Sequence, residues 1–191
     1  MTDPEIVTIP IDIDLDARGR GWMEASRLAF NQSLLDDEHA RRWWAAMQAD
    51  GVRVRVVRAG AHEFGLDPDL PLATFASFDS TLNVGHGRLA STNAIEDVSV
   101  RTTARRQGLL RRMMRVDLDE AVARGQAFAT LTASEATIYG RFGFGLSTIE
   151  QSVELDTARF GLRHSPAGRV EIAPANSLAD LRTRLFAEIH G

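Results

Sequence analysis

The order of local signals along this chain predicts an α/β domain built on a mixed sheet. Two observations carry that expectation. Short β-rich or alternating segments are interleaved with longer ones whose apolar residues recur at helical spacing. The resulting order is a strand, two helices, a run of strands, a helix, a strand, a short helix and a strand, with no repeat or low-complexity tract between them. A length of 191 residues suits one domain, or one domain plus a fragment of a second, and a hydrophobic content of 44% supplies a core.

Taken in order, residues 5–13 are β-rich and predict a first strand. Trp22, Met23, Ser26 and Phe30 then recur at helical spacing. Residues 36–50 predict a second helix. Its first turn carries Asp36, Asp37 and Glu38, where the helix dipole favours negative charge, and Gly51 stops it. Its apolar residues are Ala40, Trp43, Trp44 and Met47. Residues 52–59 alternate valine with arginine, as a half-buried strand does. A turn-rich stretch follows at 60–71. Strands are expected at 72–78 and 88–100, joined across Asn83, Val84 and Gly85. A helix over 108–124 has Leu110, Met113, Met114, Leu118 and Ala121 as its core face and Gly125 as its cap. Residues 127–132 predict a strand, 136–142 a short helical turn, and 148–155 an alternating strand.

Composition removes several functions. A net charge of −4 and a pI of about 5.7 argue against bulk nucleic-acid binding, which needs a basic surface. With no Cys there is no disulfide framework, thiolate zinc site or thiol nucleophile. The five His residues are scattered, so no metal is expected. Every basic residue is Arg, which excludes a Schiff-base lysine and a P-loop lysine. No apolar run reaches the roughly 18 residues of a membrane span. The acidic N-terminus lacks the basic start of a signal peptide, so a cytoplasmic protein with no membrane partner is expected.

The segment that carries chemistry runs from Asp97 to Met114, DVSVRTTARRQGLLRRMM. It reads as a strand, a loop and a helix start. Six arginines fall within it and its next residue: Arg101, Arg105, Arg106, Arg111, Arg112 and Arg115. The start of a helix offers unpaired N–H groups and the positive end of a dipole. An acidic protein that concentrates arginine at such a junction suggests a phosphorylated ligand there. For Arg112 and Arg115, opposite a Leu/Met face, an ordinary solvated helix surface explains the charge as well, and Gly108 also suits a simple turn.

The run RRQGLL, Arg105 to Leu110, resembles the pyrophosphate loop of the GNAT superfamily, Q/R-x-x-G-x-G/A, departing only at Leu110. Its Leu-Leu ending resembles the R-R-x-G-L-L form of the enhanced-intracellular-survival family of N-acetyltransferases. About two dozen residues on, LTASEATIYGRFGFG from Leu131 to Gly145 resembles that family's A-S-E-x-x-I-Y-x-R-F-G-Y-G. The resemblance covers roughly residues 15–160 and is strongest over 95–148. It implies a GNAT fold with a mixed, mostly antiparallel, splayed sheet flanked by helices, and acetyl-CoA as cosubstrate. It implies that Val98, Ser99 and Val100 pair with the pantetheine arm and that Arg106 to Arg111, with Arg105 before them, wrap the pyrophosphate. Gln107, Gly108, Leu109 and Leu110 lie inside that wrap. Ser134 and Glu135 would flank the splayed strands, and Tyr139 would protonate the departing thiolate.

Amine attack on a thioester independently calls for a protonated leaving group, and a tyrosine, with a pKa of about 10, is protonated at neutral pH. Tyr139 is the only Tyr in the chain. A core tyrosine with a bonded hydroxyl is the alternative. The acceptor side is less marked. Trp43 and Trp44 are neighbours on a helix, so one is expected in the core and the other along a substrate cleft. Asp36 and the acids after it suit a cationic amine, though first-turn acids need no such reason.

Beyond residue 160, Arg169 to Ala173 reads as a strand, Ser177 with Asp180 as a capping box, and Leu178, Leu181, Leu185 and Ile189 as the stripe of a final helix. The expected organisation is a GNAT domain over 1–160 and, over 161–191, a linker plus strand and helix that begin a second, GNAT-like domain. The family's general base, a chain-terminal carboxylate, has no counterpart to assign here. The resemblance implies acetyl transfer to a primary amine, such as an aminoglycoside or another polycation, and leaves a homo-oligomer open. An acyl-CoA-binding module without turnover is the competing reading.

Overall fold

Both faces of the central sheet are covered, and that fact shapes every element in it. The computed structural model describes residues 5–58, 70–149, 151–161, 164 and 167–190. Five strands, β1 (Ile6–Ile9), β2 (Arg53–Val57), β3 (Ala73–Asn83), β4 (Leu89–Val100) and β5 (Phe128–Leu131), form one sheet in the order β1-β2-β3-β4-β5. The β1–β2 and β2–β3 pairs are antiparallel, and β4–β5 is parallel. The mixed sheet expected from the sequence is thus present. Of the turn-rich stretch at 60–71, residues 60–69 lie outside the described residues.

Helices α1 (Ala17–Ala29) and α2 (Asp37–Ala49) each start at an aspartate whose carboxylate accepts a first-turn N–H: Asp16 from Gly19 and Asp36 from His39, both at 2.9 Å. Trp22 and Met23 of α1 and Ala40, Trp44 and Met47 of α2 pack against Ile9, Val54, Val56 and Ala76. That is one parity of the strands. The other parity of β2 was expected to face solvent, yet Arg55 is only 2% exposed. Helix α3 (Leu109–Ala123) lies over that face and supplies Asp117 and Glu120 to its guanidinium. The valine–arginine alternation therefore marks two buried faces of different chemistry, rather than one buried and one wet.

The chain divides into two compact units. The first comprises residues 1–82 and 89–135, and the second 83–88 and 136–191. In the second, the turn after β3 closes through Val84 N–H to Arg88 C=O at 3.0 Å. The helical turn expected at 136–142 is two one-turn 3-10 helices, Ala136–Ile138 and Gly140–Phe142. The described residues of 148–155 and of 169–173 are irregular and exposed, which corrects two expected strands. Alternation specifies faces, but a strand also needs a partner strand, and among the described residues the sheet's strands include none from 148–155 or 169–173. The final helix, α4, runs Ala179–His190. Ser177 lies in the preceding 3-10 turn, where its hydroxyl donates to Pro174 C=O at 2.8 Å, so it forms no capping box. Leu178, Leu181 and Leu185 are exposed, and the side chain of Ile189 lies outside those described. Among the described residues no helix is long and apolar enough to cross a membrane.

Candidate functional site

The loop between β4 and α3 has a backbone suited to an anion. Arg106 and Gly108 both take left-handed conformations, φ +65° and +77°, and the latter caps α3. Alternating handedness of this kind turns successive N–H groups toward a common concavity. The helical ladder of α3 opens with Arg112 N–H to Gly108 C=O at 3.1 Å, so the N–H groups of Leu109, Leu110 and Arg111 precede it and carry the positive end of the dipole. A Cβ added at Gly108 would meet nothing within 4 Å. Arg105, Arg106, Gln107 and Arg111 are exposed, whereas the Leu109 side chain is buried and anchors the first turn. Arg101 is different. Its guanidinium donates to Leu70 C=O, its N–H donates to Leu72 C=O at 2.9 Å, and burial lowers its pKa, so it ties down the chain before β3.

Upstream of this loop, β4 and β5 part. Their parallel pairing covers only Thr92↔Phe128 to Ile95↔Leu131, while β4 continues to Val100. Val98, Ser99 and Val100 thus extend past the last β5 partner and are all half-buried. Between the stretch paired with β5 and the stretch beyond it sits Asp97 at φ +49°, a kink in the strand that breaks the inside–outside alternation. It is pinned from two sides. Ser26 Oγ donates to its Oδ1 at 2.7 Å, and Thr74 Oγ1 donates to its carbonyl at 2.8 Å. Burial pushes the Asp97 carboxyl above its usual range, against the Ser26 hydrogen bond and the Arg27 charge. Glu96 is raised as well, by burial and by the charges of Asp97 and Asp50. Sequence reasoning missed both acids as features, and the one available signal was a charged pair inside an otherwise neutral strand. Ser134 and Glu135 are exposed and lie just past the end of β5. The loop, the strand end and these two residues all belong to the first unit.

Tyr139 belongs to the second unit. It is buried, at 9% exposure, and its ring meets Phe144 edge-on at 6.1 Å between centroids. Its carbonyl accepts from Phe142 N–H at 2.9 Å and Phe144 N–H at 3.4 Å, which holds the glycine-rich turn around it. The expectation that the two tryptophans lie on different faces of the helix is corrected. Trp44 is 2% exposed, with its indole N–H on Ile13 C=O at 2.9 Å, and Trp43 packs against the same cluster, 5.6 Å from the Trp22 ring. Adjacent helical positions are 100° apart, close enough for two large rings to share one apolar stripe. Asp36 is the N-cap of α2, its carboxylate bound to His39 and its pKa lowered first by the His39 N–H. That role explains it without an acceptor.

A family model described as the acetyltransferase (GNAT) domain matches residues 16–147. The chain belongs to this family. An uncharacterized N-acetyltransferase of Streptomyces coelicolor is 43% identical over 112 residues, covering 56% of this chain and 27% of its own length. The N-acetyltransferase Eis of Mycobacterium tuberculosis is 36% identical over 136 residues, covering 70% of this chain and 32% of its own. This chain therefore spans about a third or less of the curated relatives it matches. Among solved structures, a predicted acetyltransferase from Clostridium acetobutylicum, crystallised with acetyl-CoA, superposes at a TM-score of 0.56 with 14% identity, over 85% of this chain and all of that one. At that identity the likeness speaks for the fold: a GNAT fold, with the mixed five-stranded sheet and flanking helices described above.

Proposed function

We propose that this GNAT domain transfers an acetyl group from acetyl-CoA to a primary amine. The observation that carries the reading is the loop at the start of α3. Two left-handed residues flank Gln107, a helix N-terminus follows, Arg105, Arg106 and Arg111 are exposed, and a Cβ at Gly108 would meet open space. A pyrophosphate fits that donor set, with main-chain N–H groups of 106–111 and the guanidinium groups of Arg105, Arg106 and Arg111 as its partners. The end of β4 at Val98–Val100, beyond its last β5 partner, suits the amide-bearing pantetheine arm, which would add to the sheet as a peptide does. Ser134 and Glu135 border the same divergence. The name N-acetyltransferase on the curated relatives and the acetyl-CoA in the Clostridium structure support the cosubstrate.

In the proposed reaction the neutral amine attacks the thioester carbonyl. A C–N bond forms, the C–S bond breaks, and the thiolate leaves with the Tyr139 proton. The amine gives its own proton to solvent base, and Tyr139 takes a proton back from solvent. The resemblance of RRQGLL and of the Leu131–Gly145 run to the enhanced-intracellular-survival family extends the proposal to polycationic acceptors. Residues 1–160 are taken as the acetyl-CoA domain and 161–191 as the start of a second one. The test is release of free CoA thiol from acetyl-CoA over a panel of amines that includes aminoglycosides, spermidine and simple primary amines. Release with any primary amine supports transfer. Binding of acetyl-CoA without release replaces the enzyme by a binding module, and no binding removes both.

A further inference from the structure

Helix α3 is fastened to the sheet by charge as well as by apolar contact. Asp117, 0% exposed, accepts from three strands at once: Arg55 Nη1 of β2 at 2.6 Å, Ser77 Oγ of β3 at 2.5 Å and Asn93 Nδ2 of β4 at 2.6 Å. One turn on, Glu120 accepts from Arg55 Nη2. One turn further, just past the helix end, Arg124 donates to Asn93 Oδ1 at 2.8 Å and pairs with Asp79 at 3.4 Å. Arg53 binds the same Asn93 oxygen at 2.9 Å and Asp79 at 2.8 Å. Positions 117, 120 and 124 form one helical stripe, so a ladder of ion pairs runs along the sheet-facing side of α3, buried at Arg55 and Asp117 and half-exposed at Glu120 and Asp79. Three guanidinium groups face three carboxylates in it: Arg53, Arg55 and Arg124 against Asp79, Asp117 and Glu120.

We propose that Asp117 is a positioning residue for acetyl-CoA. It fixes where the start of α3 stands relative to β4, and so sets the distance between the loop at 105–111 and the strand end at Val98–Val100. The proposal rests on the acetyl-CoA reading of those two segments. Asp117 lies eight residues into the helix from Leu109, about 12 Å along its axis. The apolar part of the same interface is rich in Met113 and Met114, both fully buried. Methionine is flexible and tolerates sliding, so it sets register weakly. A carboxylate with one acceptor geometry for three strands sets it strongly. A rigid ligand that touches both loop and strand feels any slip of the helix, whereas one that touches only the strand does not.

Acetyl-CoA and S-acetylpantetheine separate these cases, because the second has the pantetheine arm and no pyrophosphate. The decisive variant is Arg55→Met/Ser77→Ala/Asp117→Leu. It replaces the buried Arg55–Asp117 pair and the Ser77 hydroxyl with apolar groups, an exchange that often leaves stability unchanged, although Asn93 Nδ2 and Glu120 each lose one partner. The folded variant is expected to bind acetyl-CoA at least about tenfold more weakly, since misplacements near 1 Å cost that much or more. Its affinity for S-acetylpantetheine, measured by competition, stays at the wild-type value. A folded variant that binds acetyl-CoA within about twofold of wild type overturns the positioning role. Should the triple variant not fold, Ser77→Ala alone decides. It removes one hydrogen bond from an uncharged hydroxyl to the Asp117 carboxylate and should shift the ratio of the two affinities about threefold; an unchanged ratio overturns the role. Wild-type protein that binds no acetyl-CoA defeats the acetyl-CoA reading itself, and the positioning role falls with it.

Discussion

Replacing Gly108 separates backbone strain from ligand contact. Its φ of +77° and ψ of 6° lie in the left-handed region, which costs a residue with a Cβ about 1–2 kcal/mol. A Cβ built there meets no atom within 4 Å, so no clash adds to the strain. Gly108→Ala should therefore destabilise the fold by about 1 kcal/mol, or about 2–4 °C in Tm for a chain of this size. Asparagine visits this region readily, so Gly108→Asn should cost less. Affinity for acetyl-CoA should follow a different order. If phosphate oxygens approach the backbone at this position, either side chain blocks them. Both variants should then lose at least about tenfold in Kd, or 1.4 kcal/mol. Calorimetry with acetyl-CoA, paired with thermal unfolding, reads the two effects separately. Wild-type affinity in both folded variants would refute the pyrophosphate assignment. A loss that simply tracks Tm would show that strain alone was at work.

Three further outcomes are expected. Tyr139→Phe should lower turnover about 10²-fold, the scale of a general acid, with acetyl-CoA affinity nearly unchanged; wild-type turnover in that variant would exclude the acid role. Asp97 has a folded-state pKa raised by burial, so its favourable contribution is full below the ordinary value of 3.8 and is lost as pH rises through the folded value. Asp97→Asn keeps an acceptor for Ser26 Oγ and tolerates φ +49°, so it should gain stability relative to wild type between pH 4 and neutrality. Urea unfolding that shows a pH-independent difference counts against this. Trp44→Ala should cost about 3–5 kcal/mol by emptying the core beneath α2, while Trp43→Ala, partly exposed, should cost less; equal losses by denaturant titration would contradict the packing described.

Much of the architecture was legible in the sequence because its causes are local. Helix α2 begins where Asp36 caps it and stops at Gly51, whose φ is +62°. Helix α3 begins after Gly108 and is closed at Gly125, again at positive φ. The RRQGLL run placed the candidate anion loop because glycine and arginine at a strand–helix junction state their chemistry within six residues. What tertiary structure alone decided are relations between segments distant in the chain. Arg55 reads as the wet side of a strand until Asp117, 62 residues later, covers it. The kink at Asp97 depends on Ser26, 71 residues earlier, and no pattern in β4 announces it. Both tryptophans enter one core because α1 and α2 converge on the same sheet face. The alternating segment at 148–155 shows the converse, since periodicity records which face a residue would present and only a partner strand makes it a strand. A one-dimensional pattern carries turn, cap and face preferences, which are properties of a few consecutive residues. Burial of a charge and the pairing that makes it affordable are properties of residues that only folding brings together.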